Sequence, residues 1–433
     1  MRRRVVVTGI GVVSPLGNDA ETTWRNLLEG RSGIGKLEGF PTDKLRSDVA
    51  ASVRDFEAER YLSAKEVEIH GRVTHFSVAA AVEAMNQAGI SPSAGSLAAD
   101  DEEDASGAGD VSGSAERARY GCLMSTGMGS VDIFEEQIAR SAQRGPRAVS
   151  PFFIPGVMPN SATAVIAIRY GLMGPSYSLA SACCTGTHSI ATSALMIESG
   201  DADVMVAGGA EAATRMNTVA GFGNARALAR AVDGDPTKAS RPFDRKRQGF
   251  VMAEGAGVLV LEEEQHALRR GAKPLAYIAG FGMTTDATHL TRPDTSGSGL
   301  VRAMQRALER AELGPEVIGY INPHATSTPQ GDAAEVLALR SVFGERLEQI
   351  PISATKSMLG HMLGGAGAVE TIAVVCSLRD QALHPSINVE DLDPAFSLEL
   401  VKERRSLDLR YAIKVSAGFG GHNCALVLER AQG

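Results

Sequence analysis

The sequence predicts an α/β fold in which one unit is used twice. Short apolar runs with strand character alternate with helical patterns along the chain. Segments of the first half also return, in the same order, after residue 268. Val7-Thr8-Gly9-Ile10-Gly11 is echoed by Ile278-Ala279-Gly280-Phe281-Gly282, and the helical pattern at 79–88 by that at 301–311. Ala256-Gly257-Val258-Leu259-Val260-Leu261-Glu262 is echoed by Asn423-Cys424-Ala425-Leu426-Val427-Leu428-Glu429. Glycine supplies 47 of the 433 residues, which favours tight turns and close backbone packing over a plain helical bundle. The expected halves are 1–268 and 269–433.

Residues 5–13 read as a buried strand. Gly9-Ile10-Gly11 does not open a dinucleotide fingerprint, because Ser14 stands where a third glycine belongs and no helix follows at once. Residues 21–29 and 63–89 carry helical patterns, with Val78, Ala81, Val82 and Met85 on the buried face of the second. Residues 91–116 hold Asp100-Asp101-Glu102-Glu103-Asp104 among Ser, Gly and Ala. Such a stretch cannot bury enough apolar surface to offset its ordering entropy, so a flexible acidic surface insertion is expected. Strands are expected at 120–125, 202–207 and 257–262, and 216–231 is rich in Gly and Ala. Tyr177-Ser178-Leu179-Ala180 reads as a strand end that turns sharply, through Ser181-Ala182-Cys183-Cys184, into a helix over 189–199. Ile190, Ala194, Leu195 and Ile197 mark that helix's apolar face, and Gly200 stops it.

Bulk properties exclude several classes. The chain is 44% hydrophobic and 22% charged, so it can bury a large core. A net charge of −8 argues against general nucleic-acid binding, and no apolar run is long enough to span a membrane. Arg2-Arg3-Arg4 before Val5-Val6-Val7 has some look of a secretion signal, but Thr8, Gly9, Gly11 and Ser14 interrupt the apolar run. The five cysteines, Cys122, Cys183, Cys184, Cys376 and Cys424, lack CxxC spacing. They point to a reducing, cytoplasmic compartment, with neither a disulfide framework nor a metal site.

Cys183 sits where a helix N-terminus favours thiolate over thiol, although a lone cysteine there is as well explained by packing. Three other stretches carry more Gly, Ser, Thr and His than packing needs: 322–332 with His324, 353–370 with Lys356 and His361, and 416–423 with Phe419. A strand at Ile318-Gly319-Tyr320-Ile321 puts His324 at its C-terminal end, where sites gather in open α/β sheets. One Cys with one His would suggest a protease-like pair, which wants an Asn or Asp to orient the base. Two neutral histidines donating to one oxygen would instead stabilise an enolate. With an acyl group on Cys183 as thioester, that is the set needed for a Claisen condensation.

Ser181-Ala182-Cys183, His324-Ala325-Thr326-Ser327-Thr328, the stretch from Lys356 to Glu370 and Gly418-Phe419-Gly420-Gly421 resemble, in order, the signatures of β-ketoacyl-[acyl-carrier-protein] synthases, nearest the type II elongating branch. The likeness also covers residues 5–17, Arg241-Pro242-Phe243-Asp244 and Gly249-Phe250. It implies the thiolase fold: duplicated βαβαβ-type halves in a five-layer αβαβα sandwich, as a homodimer or with a chain-length partner. It implies acyl and malonyl carrier proteins as partners, and no cofactor beyond the phosphopantetheine they bring. By this resemblance Cys183 is the nucleophile, and His324 and His361 bind the malonyl thioester carbonyl. The amides of Cys183 and Phe419 form the oxyanion hole, and Lys356 pairs with Glu370 and holds His361. Thr326 and Thr328 bind the pantetheine arm. Met128, Phe222, Ala417 and Phe419 line the acyl pocket, with Phe419 as gate, and Arg147 and Arg226 dock the carrier. Cys184, Cys424, His188 and His422 read as packing or structural residues.

The chain departs from the family pattern at Ala325, where Gly is usual, at Pro323, where a small residue is common, and at Ala417, where an aromatic is usual. Loss of that ring leaves space, so a bulkier acyl chain is expected. The function implied is decarboxylative condensation with malonyl-acyl-carrier-protein in fatty acid elongation. A type II polyketide or polyene ketosynthase shares the chemistry. A non-catalytic chain-length subunit is disfavoured by Cys183. A degradative thiolase needs a second catalytic cysteine that Cys424 does not supply.

Overall fold

The computed structural model describes residues 2–93 and 114–431. Most of the acidic stretch at 91–116 lies outside the described residues. Ten strands form one mixed sheet: β1 (Val5–Val13), β2 (Tyr120–Thr126), β3 (Val204–Glu211), β4 (Gly255–Glu263), β5 (Ala276–Thr285), β6 (Tyr320–Asn322), β7 (Pro351–Ile352), β8 (Glu399–Leu400), β9 (Tyr411–Gly418) and β10 (His422–Arg430). Their order is β8-β7-β6-β9-β10-β5-β1-β4-β3-β2.

The four strands on either side of the β1–β5 junction repeat one arrangement. In one half β2 runs parallel to β3, while β3–β4 and β4–β1 are antiparallel. In the other, β6 runs parallel to β9, while β9–β10 and β10–β5 are antiparallel. The halves meet edge to edge where Val5, Val6 and Val7 pair with Ile278, Tyr277 and Ala276. The segments that echo each other in sequence, β1 with β5 and β4 with β10, thus hold equivalent places.

Six helices cover the sheet: α1 (Arg72–Ala88), α2 (Ser161–Tyr170), α3 (Thr185–Ser199), α4 (Ser298–Ala311), α5 (Pro329–Phe343) and α6 (Ala366–Asp380). Phe76, Ala80, Ala84, Met85, Ile166 and Tyr170 of α1 and α2 pack on Val204 and Val258. Met304 and Leu339 of α4 and α5 pack on Ile413 and Val427. Between the half-sheets, Ile190 and Ala194 of α3 and Ala368 and Ile372 of α6 share a core with Leu259 and Leu426. This is the five-layer αβαβα sandwich of the thiolase fold.

The central helices begin alike. Each follows a single 3-10 turn, Ala182–Cys184 or Leu363–Gly365, whose first residue has positive φ, 50° at Ala182 and 45° at Leu363. Glycines let these starts touch each other and the sheet. A Cβ on Gly186 would lie 2.9 Å from the Ala368 nitrogen, and one on Gly257 would lie 2.6 Å from the Val369 nitrogen.

Two local expectations change. The helical pattern over 63–89 is two helices, Ala64–Ile69, opened by a Ser63–Glu66 capping box, and α1. They break at Gly71, where a Cβ would sit 2.6 Å from that of Ser130. Residues 177–180 form no strand, and only Ser176 bridges to Cys122. After the Tyr177 amide, which donates to the Cys122 carbonyl at 3.1 Å, side chains take the place of a ladder: Thr163 Oγ1 donates to the Tyr177 carbonyl at 3.3 Å, and the Leu179 amide donates to Ser125 Oγ at 3.3 Å. Cys183 therefore follows an extended coil.

Gly257→Ala is expected to cost roughly 1–3 kcal/mol by overpacking the sheet against α6. Gly221→Ala, inside the helix Met216–Asn224 with no atom within 4 Å of the added Cβ, is expected to be neutral or slightly stabilising. Urea unfolding midpoints for the two variants check the contrast.

Candidate active site

The fold brings Cys183, His324 and His361 together from three elements. Cys183 is the middle residue of the turn ahead of α3, His324 lies just past β6, and His361 follows the short helix Lys356–Leu359. The Cys183 Sγ and the ligand nitrogens of the two rings all lie within 4.8 Å of one another. The imidazoles stand edge to face, with centroids 5.3 Å apart.

Each group is held mainly through backbone. The His361 amide donates to the Val251 carbonyl at 2.7 Å, and the Ala253 amide donates to the His361 carbonyl at 3.0 Å. Phe250 packs edge-on to the His361 ring at 5.3 Å. Among the described residues neither ring nitrogen of His361, nor Nδ1 of His324, has a hydrogen-bond partner. The His324 and Ala325 amides donate to the two oxygens of Glu335, at 2.5 and 2.7 Å. Asp332, one turn earlier on α5, accepts from the Ser327 amide at 3.0 Å and the Phe243 amide at 2.8 Å. These carboxylates anchor a loop in which Ala325 and Ser327 have φ of 39° and 70°. The left-handed conformation accounts for the usual glycine after the first histidine, and Ala325 adopts it at a cost in strain.

The loop between β9 and β10 lies against the turn that bears Cys183. A Cβ on Gly418 would stand 3.1 Å from the Cys183 nitrogen. Gly420 and Gly421, with φ of 84° and 74°, make the return. The Phe419 and Cys183 amides both favour the anionic form of the Cys183 sulfur.

Electrostatics separates the histidines from the cysteine. Burial, reinforced by the charge of Lys356, holds both imidazoles well below their usual pKa, so both are neutral and able to donate. Burial also pushes the Cys183 thiol up to about 11, against the pull of Lys356 and the Phe419 amide. This corrects the expectation of a helix-generated thiolate. Regular α-helix starts only at Thr185, and desolvation outweighs the field of its first turn.

Lys356 and Glu370 are ion-paired and buried behind the histidines. No hydrogen bond joins Lys356 to His361, which the 251–253 backbone holds instead. A cavity of about 580 Å³ opens on the trio. Met128, Phe222, Ala417, Phe419, Thr326, Thr328 and Arg226 all line it. Arg147 does not, and is exposed on the turn Pro146–Ala148. Thr326 and Thr328 hydroxyls are 3.0 Å apart, and Thr328 also caps α5. Cys184 is buried and donates to the His422 carbonyl, His188 pairs with Ser181 at 2.6 Å, and Cys424 is buried in β10.

Sequence reasoning missed four buried groups. Glu335 and Asp332 are described above. Glu211 accepts from Thr126 Oγ1 at 2.8 Å and from the amides of Gly127 and Gly364 at 3.1 and 3.0 Å, tying the two halves at the cavity floor. Burial pushes Glu211 and Glu335 up to about 7. Lys414, on β9, pairs with the second oxygen of Glu370 at 2.8 Å. A lysine inside the otherwise apolar run Tyr411-Ala412-Ile413-Lys414-Val415 is a signal that could have found it.

The beta-ketoacyl synthase N-terminal domain model matches residues 2–267, and the C-terminal domain model matches 275–390. The chain belongs to the beta-ketoacyl synthase family. It is 42% identical over 99% of both chains to 3-oxoacyl-[acyl-carrier-protein] synthase 2 of Vibrio harveyi. It is 39% identical to the protein of that name from Staphylococcus aureus, covering 99% of this chain and 98% of the other. Among solved structures, the ishigamide ketosynthase/chain length factor superposes with a TM-score of 0.88 at 30% identity, covering both chains fully. A beta-ketoacyl synthase from Burkholderia phymatum gives 0.86 at 32% identity, covering 99% of this chain and 100% of the other. A type II PKS ketosynthase in complex with its acyl-carrier protein gives 0.87 at 29% identity, again over both full chains.

With its thiol raised to about 11, Cys183 in the free protein should react with iodoacetamide at a rate that climbs through pH 9 without levelling. Mass spectrometry across pH 6–10 measures it, and a plateau by pH 7 would mean a resting thiolate.

Proposed function

We propose that this protein joins an acyl chain held on Cys183 to a malonyl unit on acyl carrier protein, by decarboxylative Claisen condensation, in fatty acid elongation. The observation that carries this reading is the cysteine flanked by two neutral imidazoles, His361 buried with both ring nitrogens unpartnered and His324 half-buried with Nδ1 unpartnered. The Cys183 sulfur attacks the acyl thioester, the oxyanion is held by the Cys183 and Phe419 amides, and the pantetheine thiol leaves with the proton. The malonyl thioester oxygen then accepts from Nε2–H of His324 and His361. The bond to the carboxylate breaks, carbon dioxide leaves, and its electron pair forms the enolate. The enolate carbon attacks the acyl-Cys183 carbonyl, the carbon–sulfur bond breaks, and the Cys183 sulfur takes up a proton as 3-oxoacyl carrier protein departs. Neutral rings suit this step, since a donor that keeps its proton stabilises the enolate without quenching it.

No cofactor is required, because the pantetheine arm arrives on the carrier and meets Thr326 and Thr328. Arg226 at the cavity wall and the exposed Arg147 would receive the carrier's acidic helices. Exposed Phe134, Ile138, Phe152, Ile154 and Met158, on and beside two neighbouring helices, would suit a second copy, or a chain-length partner of the kind named with one structural neighbour. No helix among the described residues is long and apolar enough to cross a membrane, and the free cysteines suit the cytoplasm.

Identity of 42% to a 3-oxoacyl-[acyl-carrier-protein] synthase 2, against 29–30% to type II polyketide and ishigamide ketosynthases, supports fatty acid elongation. One observation favours the polyketide or polyene reading: Ala417 lines the cavity without a ring. Incubation with a panel of acyl carrier proteins, followed by mass spectrometry, tests both. Acyl mass is expected on Cys183 alone and is absent in Cys183→Ala. Ala417→Phe is expected to lose loading of branched or polyenyl chains while keeping linear ones, and equal loading by both proteins would refute the pocket role.

A further inference from the structure

Lys414 is a buried charge that the condensation chemistry, as described, does not use. It lies in the middle of β9, paired through its backbone with Leu426 and Asn322, and its side chain is fully buried. Its Nζ lies 2.8 Å from Glu370 Oε2, while Lys356 takes Oε1. It also donates to Ser416 Oγ at 3.0 Å and to the Val415 carbonyl. Ser416 Oγ is 2.7 Å from Thr187 Oγ1, in the first turn of α3 just beyond Cys183. One ammonium thus connects the strand that leads to the Phe419 loop, the helix that follows the nucleophile, and the Lys356–Glu370 pair.

We propose that Lys414 is a positioning lysine: it shares Glu370 with Lys356 and adds a second buried positive charge to the group behind the two histidines. Two ammonium groups on one carboxylate are an unusual burden for a core: burial pushes Lys414 below its usual pKa, and Glu370 and Glu335 oppose that shift. The groups facing Lys414 are Glu370 on α6, Lys356 on its short helix and Glu335 on α5. His324, His361, Cys184 and Cys424 also feel its charge. The Lys414 charge opposes protonation of both rings, because a cation nearby disfavours a second one.

The inference rests on the proposed condensation, and two readouts keep the failures apart. Acyl loading of Cys183 tests the condensation reading. Decarboxylation of malonyl carrier protein against pH tests Lys414. Removing one buried positive charge raises the histidine pKa values, so in Lys414→Met the acid limb should move up by about one pH unit. Turnover at neutral pH should fall roughly tenfold, with acyl loading retained. Lys414→Met with Glu370→Gln removes one charge of each sign and should return the limb toward wild type. Ser416→Ala keeps the charge and should leave the limb in place. If Lys414→Met does not load, Lys414→Gln against Ser416→Ala gives the same contrast. An acid limb unmoved in a Lys414 variant that loads Cys183 normally overturns the proposal, as does an equal shift in Ser416→Ala.

Discussion

The site depends on one close contact, between the starts of the two central helices. Gly186 faces Ala368 and the Gly364 carbonyl, and Gly209 approaches the same carbonyl so closely that a Cβ would sit 2.4 Å from it. Side chains at these places would push the half-sheets apart, and with them Cys183 from His361. The two helix entries are built alike, yet Cys183 stands in one and Gly364 at the matching place in the other. One half supplies Cys183, the other both histidines, and the glycine leaves room between them.

Closing that contact removes water, and the electrostatics follow. Neutral imidazoles, a protonated thiol, and the carboxylates Glu211 and Glu335 poised near 7 all result from desolvation in one small volume. The core tolerates these groups because each carboxylate accepts backbone amides or ammonium protons. Those same bonds fix the loops bearing His324, Met128 and Leu363. Stability and catalytic geometry draw on the same hydrogen bonds.

Much of this was legible in the sequence, for physical reasons. Glycine echoes and apolar runs revealed the duplication because β1/β5 and β4/β10 meet the same packing demands twice. Cys183, His324, His361 and Phe419 stood out because reactive groups need glycine-rich loops for close approach. Glu211, Glu335 and Asp332 were not legible: their role is to accept amides of residues distant in the chain, and spacing carries no trace of that. The run at 177–180 looked like a strand because extended coil pinned by Thr163 and Ser125 has the same local composition. The state of Cys183 was misjudged because a helix dipole can be inferred from neighbours, whereas desolvation depends on the whole fold.

The central claim is that loading and decarboxylation are divided between Cys183 and the two neutral histidines. It is tested most directly by following carbon dioxide release and the acyl-Cys183 thioester separately in His324→Ala. The thioester should form to the wild-type extent, while carbon dioxide release falls by roughly 100-fold or more, as for loss of one preorganised donor. Carbon dioxide released at the wild-type rate, or a Cys183 that no longer takes up the acyl chain, would contradict it.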